Sequence, residues 1–391
     1  MLQAKSNSGK LTTLVRLTKQ ELLEAKNDIF YCPTCNEQVL IKAGPKTIPH
    51  FAHYAKAECA ANDHGEGPYH EQGKLLLYEW LTNQRIETEL EKYIPELGQR
   101  PDILVTLNSR RKIAIEYQCA RIPTEILNQR NIGYRGAGIT PIWILGAKHF
   151  HRLRHHHFKI DQFILSFLHR FSPEFPLTLF FFCPHTQQFI IIQHIYLITS
   201  RHAIGRFKFN AAKDLSFPKM FTKQTFPVEK LFELWKNEKT AFRLQQSNRV
   251  YGSELAWKKW LYEKGGHRET LSSVVYLPVQ GQYRMKTSLG NWQSRLIIEV
   301  LEPLPIGATF TLDRCYQILR YRPQQQSILV TGEDDPVYHY LKLLKQLKLI
   351  DEVQLHSFKK LQNITFPKYI ENSLLEDASL MNRLMQCSTI E

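Results

Sequence analysis

A chain of 391 residues predicts two or three domains, and its 43% hydrophobic content supplies enough apolar material for real cores, which excludes a mainly disordered protein. Lys and Arg number 51 against 37 acidic residues, and a charge of +14 points to a polyanionic partner, nucleic acid or an anionic membrane, rather than an acidic small molecule. The first twenty residues lack a signal-peptide apolar core and no run approaches the roughly 18 apolar residues of a membrane span, so a cytoplasmic protein is expected.

Residues 1 to about 26 alternate loosely, with turn residues Asn7, Ser8 and Gly9, and predict a short hairpin leading into a helix over Lys19 to Lys26. From Ile29 to Asp63 the composition shifts to Cys, His, Gly and Pro. A breaker, Gly65-Glu66-Gly67-Pro68, precedes a buried helix running to about Asn83. Strands follow at Arg85–Tyr93, Asp102–Leu107 and Lys112–Cys119, then a helix at Thr124–Ala137 and a strand at Thr140–Leu145, an α-β-β-β-α-β order that suits an α/β sandwich. Beyond Gly146 a basic, His-laden stretch leads to an amphipathic helix. A hairpin turns at Pro184 to Gln187, and aromatic helices occupy Val228–Phe242 and Glu254–Tyr262. Helices at Gln293–Leu301, from Leu312, and at Pro336–Leu349 give the end of the chain a winged-helix pattern. The expected domains are 1–64, 65–147, 148–295 and 296–391.

Cys32 and Cys35 have the spacing of a zinc knuckle, and His50 and His53 follow with a separation that one helical turn would place on the same side. Four nitrogen and sulfur ligands suit a closed, structural zinc site. Cys59 lies close enough to replace either histidine, and His64 is a remoter candidate. A Gly- and Pro-rich segment this short has little other means of folding.

Asp102 opens one apolar strand, while Glu116 and Gln118, two apart, share one face of the next. A turn near Ser109 would set Asp102 almost opposite Glu116, so both carboxylates could reach the same divalent ion, and burying them without a cation is costly. Upstream, His70, Glu71 and Lys74 open the long helix, with Glu71 and Lys74 facing the same way. Downstream, Arg130 and Tyr134 are four apart on the following helix, placed to contact phosphate or hold a carboxylate.

Together, Cys32-Pro-Thr-Cys35, His50-Phe-Ala-His53, His70-Glu71 with Gly73-Lys74, Arg100-Pro101-Asp102, Ala114 to Cys119 and Pro141 to Gly146 resemble the CoiA competence protein family. The resemblance covers residues 1 to about 150 and fades beyond. It implies a zinc-finger-like N-terminal domain and a restriction-endonuclease-like α/β/α core of the PD-(D/E)XK type, acting on incoming or branched DNA during natural transformation of a Gram-positive bacterium. By that resemblance Asp102, Glu116 and Glu71 are the acids. Gln118 stands where the superfamily usually has Lys, and its amide offers a dipole in place of a full charge. Lys112, on the face of Glu116 by parity, or Lys74 from the helix could substitute.

Two functions follow: a Mg- or Mn-dependent deoxyribonuclease, or a nuclease-fold DNA binder that recruits recombination proteins. The expected partner is single-stranded or branched DNA, and a homo-oligomer is open. Arg152, Arg154 and Lys159 in the His-laden stretch, and Arg206 and Lys208 interleaved with Phe207 and Phe209, are the expected DNA contacts. Residues 148–295 hold 23 basic against 9 acidic residues, so the whole charge surplus lies there, whereas the tail from 296 is slightly acidic and reads as a protein-interaction module.

Overall fold

The computed structural model describes residues 1–44, 47–54, 59, 67–245, 251–322 and 327–388; His64 lies outside them. The N-terminal part is a five-stranded antiparallel sheet. Its elements are β1 (Gln3–Ser6), β2 (Leu11–Thr13), α1 (Lys19–Ala25), β3 (Phe30–Tyr31), β4 (Gln38–Gly44) and β5 (Thr47–His53), with strand order β2-β1-β3-β4-β5. Thr18 and Glu21 form a reciprocal capping box that starts α1. The histidine pair sits on β5, not on a helical turn. Val39, Ile41, Ile48 and Phe51 favour a half-buried hairpin, and Phe51 packs on Phe30 with ring centroids 4.9 Å apart.

The middle of the chain runs α2 (Pro68–Thr82), β6 (Glu87–Leu90), β7 (Ile103–Thr106), β8 (Lys112–Gln118), α3 (Thr124–Gly136) and β9 (Ile139–Gly146), the expected order. It continues through β10 (Arg152–Arg154), β11 (His157–Lys159), a single turn α4 (Gln162–Leu165), β12 (Thr178–Cys183), β13 (Gln188–Thr199) and β14 (His202–Ala211). All nine strands form one sheet, ordered β10-β11-β14-β13-β12-β9-β8-β7-β6, with parallel pairing only at β8–β9 and β9–β12 among the described residues. The sheet therefore crosses the boundary expected at residue 147, because Phe181 and Phe182 of β12 pair with Leu145 and Gly146 of β9. Period-2 alternation sets the two faces: Ile103, Val105, Ile113 and Ile115 pack under Leu77 and Leu81 of α2, and Leu104 and Ala114 pack against Tyr134 of α3. The first strand of the N-terminal sheet is anchored here too, since Leu2 is fully buried in the α2 core. The basic stretch from residue 149 is the β10–β11 hairpin, and the amphipathic helix expected after it is the single turn α4.

The rest of the chain holds α5 (Val228–Leu244), α6 (Gly252–Glu263), α7 (Leu289–Leu296) running on as a π turn to Leu301, β15 (Thr309–Thr311), α8 (Leu312–Leu319), α9 (Pro336–Gln346), β16 (Ile350–Gln354), β17 (Ser357–Lys360) and α10 (Ile370–Ser388). β15, β17 and β16 form a three-stranded sheet in that order. Trp235, Trp257, Trp292, Tyr340 and Leu384 share one core, so α5 to α7 pack with the tail across the boundary expected at residue 295. Asp377 of α10 is held by Arg243 at 2.5 and 2.8 Å and by Lys239 at 3.2 Å, a buried pairing that fixes α10 on α5.

Candidate active site and zinc centre

Two strands and two helices bring the acidic residues together. The β7–β8 ladder pairs Ile103 with Ile115, so the next positions outward, Asp102 and Glu116, fall opposite one another. The Tyr117 N–H donates to Asp102 Oδ2 at 2.8 Å, and His70 Nε2 lies 3.5 Å from the same oxygen. From α2, Lys74 Nζ reaches Asp102 Oδ1 at 3.7 Å, Glu71 Oε2 at 3.5 Å and Glu91 Oε1 at 2.5 Å. The relative exposures are 0% for Lys74, 2% for Glu71, 4% for Glu91 and Glu116, and 8% for Asp102, so these charges sit where electrostatic interactions are strong. The approach of α2 depends on Gly73: a Cβ there would lie 2.0 Å from the Tyr117 ring.

Glu116 is gripped from α3. Arg130 Nη2 donates to Glu116 Oε1 at 2.5 Å, and the Tyr134 hydroxyl donates to the same oxygen. Arg130 also donates to the Arg100 carbonyl at 3.1 Å, which ties α3 to the loop before Asp102. Burial pushes the Glu116 carboxyl up to about 7, against the pull of Arg130, and the neighbouring Asp102 charge adds to the rise. Burial also raises the Tyr134 phenol, and Glu116 adds to that.

Seven residues expected from the sequence therefore converge: His70, Glu71, Lys74, Asp102, Glu116, Arg130 and Tyr134. Two do not. Gln118 gives its amide to the Ala120 carbonyl at 2.7 Å, and Lys112 is exposed at the far end of β8, about 13 Å along the strand from Glu116. The residue that sequence reasoning missed is Glu91. It follows an exposed-looking Glu87-Thr88-Glu89 alternation, but its backbone turns to φ 50° and swings the carboxylate inward. There the N–H groups of Leu2 and Gln3, at the start of β1, donate to Glu91 Oε2 at 2.8 and 3.2 Å.

The Cys and His cluster is Cys32, Cys35, His53 and Cys59, whose ligand atoms all lie within 4.8 Å of one another. Cys35 Sγ is 3.3 Å from His53 Nε2, and Cys32 Sγ is 4.0 Å from Cys59 Sγ. Tetrahedral zinc bonds of about 2.0–2.3 Å require ligand separations of roughly 3.5–3.8 Å, so the set fits a closed structural zinc site. This corrects the expected pair of histidines: residues three apart on a strand point to opposite faces, and His50 instead pairs its Nδ1 with the Ile48 carbonyl at 2.8 Å while Cys59 takes the place. Asn36, at φ 59°, closes the knuckle by donating to the Cys32 carbonyl, and the Thr34 N–H points at Cys32 Sγ. Burial raises the Cys32 thiol, but the amides of Cys35 and Thr34 outweigh it and the net shift is downward.

The chain matches three family profiles in succession: the N-terminal domain of competence protein CoiA over residues 14–62, its nuclease-like domain over 66–225 and its C-terminal domain over 232–374. The chain belongs to the CoiA family. Competence protein CoiA of Bacillus subtilis (strain 168) is 27% identical over 313 residues, which cover 76% of this chain and 80% of that protein. No solved structure matches. The CoiA nuclease-like domain takes in the nine-stranded sheet through β14, which agrees with a sheet that does not stop at residue 147. None of the helices among the described residues is long and apolar enough to cross a membrane.

In this CoiA chain the basic residues expected to meet DNA occupy two faces of that sheet. Arg152 stacks on Phe207 and Phe209 at 5.6 and 5.8 Å, and Phe209 is exposed. Arg206 and Lys208, offset by one residue on β14, face the other way, where Arg206 donates to the Thr225 carbonyl and Lys208 to that of Lys219 at 3.4 Å. Arg154 is paired with the buried Glu238, and Lys159 is exposed.

Proposed function

We propose that this CoiA-family protein is a Mg- or Mn-dependent deoxyribonuclease of the PD-(D/E)XK type that hydrolyses phosphodiester bonds in single-stranded or branched DNA. The observation that carries the reading is the fully buried Lys74 ammonium held among Asp102, Glu71 and Glu91 beside the opposed Asp102–Glu116 pair. Oxygen donors of this kind suit a hard divalent cation. The raised pKa of Glu116 is compatible with this, because burial and the neighbouring Asp102 charge outweigh the pull of Arg130, and a divalent cation would favour the ionised carboxylate.

A divalent cation held by Asp102 and Glu116 would supply Lewis-acid polarisation of the scissile phosphodiester. The chain's own groups do the rest. Tyr117 N–H orients Asp102, and Arg130 with Tyr134 fixes the Glu116 carboxylate, so neither acid must reorganise during the reaction. Lys74 places a full positive charge near the reacting phosphate, the role that Gln118 cannot fill with its amide bonded to Ala120. Arg130 keeps 18% side-chain exposure and Asp102 and His70 keep 11%, so the site meets solvent, and hence substrate, at these three residues.

One observation favours the second reading, a nuclease-fold DNA binder that serves recombination proteins: Glu116 is already neutralised by Arg130. A panel of single-stranded, duplex and branched DNA incubated with purified protein and manganese separates the two. Cleavage of at least one form, abolished when manganese is omitted, is expected. Binding without cleavage of any form would discard the nuclease in favour of the binder.

A further inference from the structure

The C-terminal region carries a concavity of about 500 Å³ between α7 and the end of α8, whose walls include Arg284, Lys286, Arg295, Arg320, Tyr321 and Arg322. No carboxylate lines it among the described residues. Three of these cations are exposed, and among the described residues no acidic oxygen comes within 4.0 Å of Lys286, Arg320 or Arg322. The acids nearby are committed elsewhere. Asp334 holds Arg170 at 2.5 Å and Tyr283 at 2.9 Å, and Asp335 caps α9 through the N–H groups of Val337 and Tyr338. Glu299, 3.9 Å from Arg295, accepts from the Trp260 indole. Arg295 is also held over the Trp260 ring at 4.2 Å, and Arg284 donates to the Asp334 carbonyl, so two of the five cations are fixed on the wall.

Collecting like charges in a concave wall is unfavourable unless an anion answers them. Four of the five are arginines, whose planar forks match pairs of phosphate oxygens. The local backbone does not require that choice: Arg320 caps α8 at φ 48°, a conformation that favours glycine or asparagine. The dimensions suit a nucleotide unit and exclude a duplex, and the half-buried Tyr321 ring beside the arginines provides a surface for a base. Sequence charge hides the feature. The tail from residue 296 is net acidic, yet its Arg320 and Arg322 are gathered with Arg284, Lys286 and Arg295 from the basic segment before it.

We infer that this concavity binds the phosphodiester backbone of single-stranded nucleic acid; the inference rests on the DNA reading above and adds a second contact outside the nuclease-like domain. The test is fluorescence anisotropy of a labelled single-stranded oligonucleotide with the full chain, without added divalent metal, over a range of salt. Arg320→Gln with Arg322→Gln should weaken binding about tenfold and reduce the slope of log affinity against log salt by about 1.4, and Lys286→Gln alone should reduce it by about 0.7. Melting temperatures equal to wild type establish that both variants are folded. Unchanged affinity and slope in both, with the wild type still binding, overturns this site and leaves the nuclease reading intact. A wild type that binds no single-stranded oligonucleotide overturns this site, and the manganese cleavage panel decides the nuclease reading separately. If the variants lose inorganic phosphate or mononucleotide binding while holding the oligonucleotide as before, the ligand is a small phosphate and the inference is wrong.

Discussion

Glu116 is a strained charge in the site. Its carboxyl titrates at about 7 because burial outweighs Arg130 and Tyr134, with Asp102 adding to the cost. A folded pKa above the ordinary 4.5 means that its contribution to stability is complete below about 4.5 and is lost as pH rises through about 7. Denaturant titrations at pH 5 and pH 8 should therefore show wild type losing up to roughly 3 kcal/mol relative to Glu116→Gln, which has no proton to lose. Equal pH dependence in the two would mean that Glu116 is not under this strain. Gly73→Ala should cost about 1–3 kcal/mol, because the added methyl must displace the Tyr117 ring, and thermal melts will show it. Asp102 and Glu116 were legible because charged residues inside apolar strands need a reason to be there. Glu91 was not: the left-handed turn that redirects it breaks the alternation on which strand reading depends.

At the scale of elements, β1 couples the two candidate metal centres. Its first N–H groups hold Glu91, Glu91 holds Lys74, and Lys74 lies 3.7 Å from Asp102, while the Phe51 N–H of β5 donates to the Met1 carbonyl just before β1. If zinc occupies the Cys and His cluster, its loss should loosen β5 and, through β1, the support of Lys74. His53→Ala should lose bound zinc, measured by metal analysis, and should slow cleavage even at saturating manganese. His50→Ala should keep both, and a zinc-free protein that cleaves normally would break the proposed coupling. The histidine pairing was misread from sequence because a spacing of three means one side on a helix and opposite faces on a strand, and only hairpin formation with β4 decides which. The core order from α2 to β9 was readable in advance because α2, β8, α3 and β9 carry clear apolar patterns, whereas β6 and β7 are only four residues long and start later than the expected strands.

Over the whole molecule, the +14 charge is not spread along the chain but concentrated after residue 147, on the outer strands of the sheet and the helices beyond it. The sequence boundary at 147 failed because a change of composition marks where charge changes, and β-pairing ignores it: β12 joins β9 through buried Phe181 and Phe182. In the tail, for which a winged helix is expected, the elements run β15, α8, α9 and the β16–β17 hairpin, and Lys345 at the end of α9 lies 3.7 and 3.9 Å from Asp351 and Glu352. Arg206→Glu with Lys208→Glu should weaken DNA binding and flatten its salt dependence; an unchanged slope would remove that face of β14 from the interface. The central claim is that Asp102 is part of a metal-dependent hydrolytic site. Single-turnover cleavage with manganese, on the DNA form that wild type cuts, tests it with Asp102→Asn, which preserves shape and removes charge. The variant should bind that DNA as wild type does and cut it at least about a hundredfold more slowly; equal rates would contradict the account.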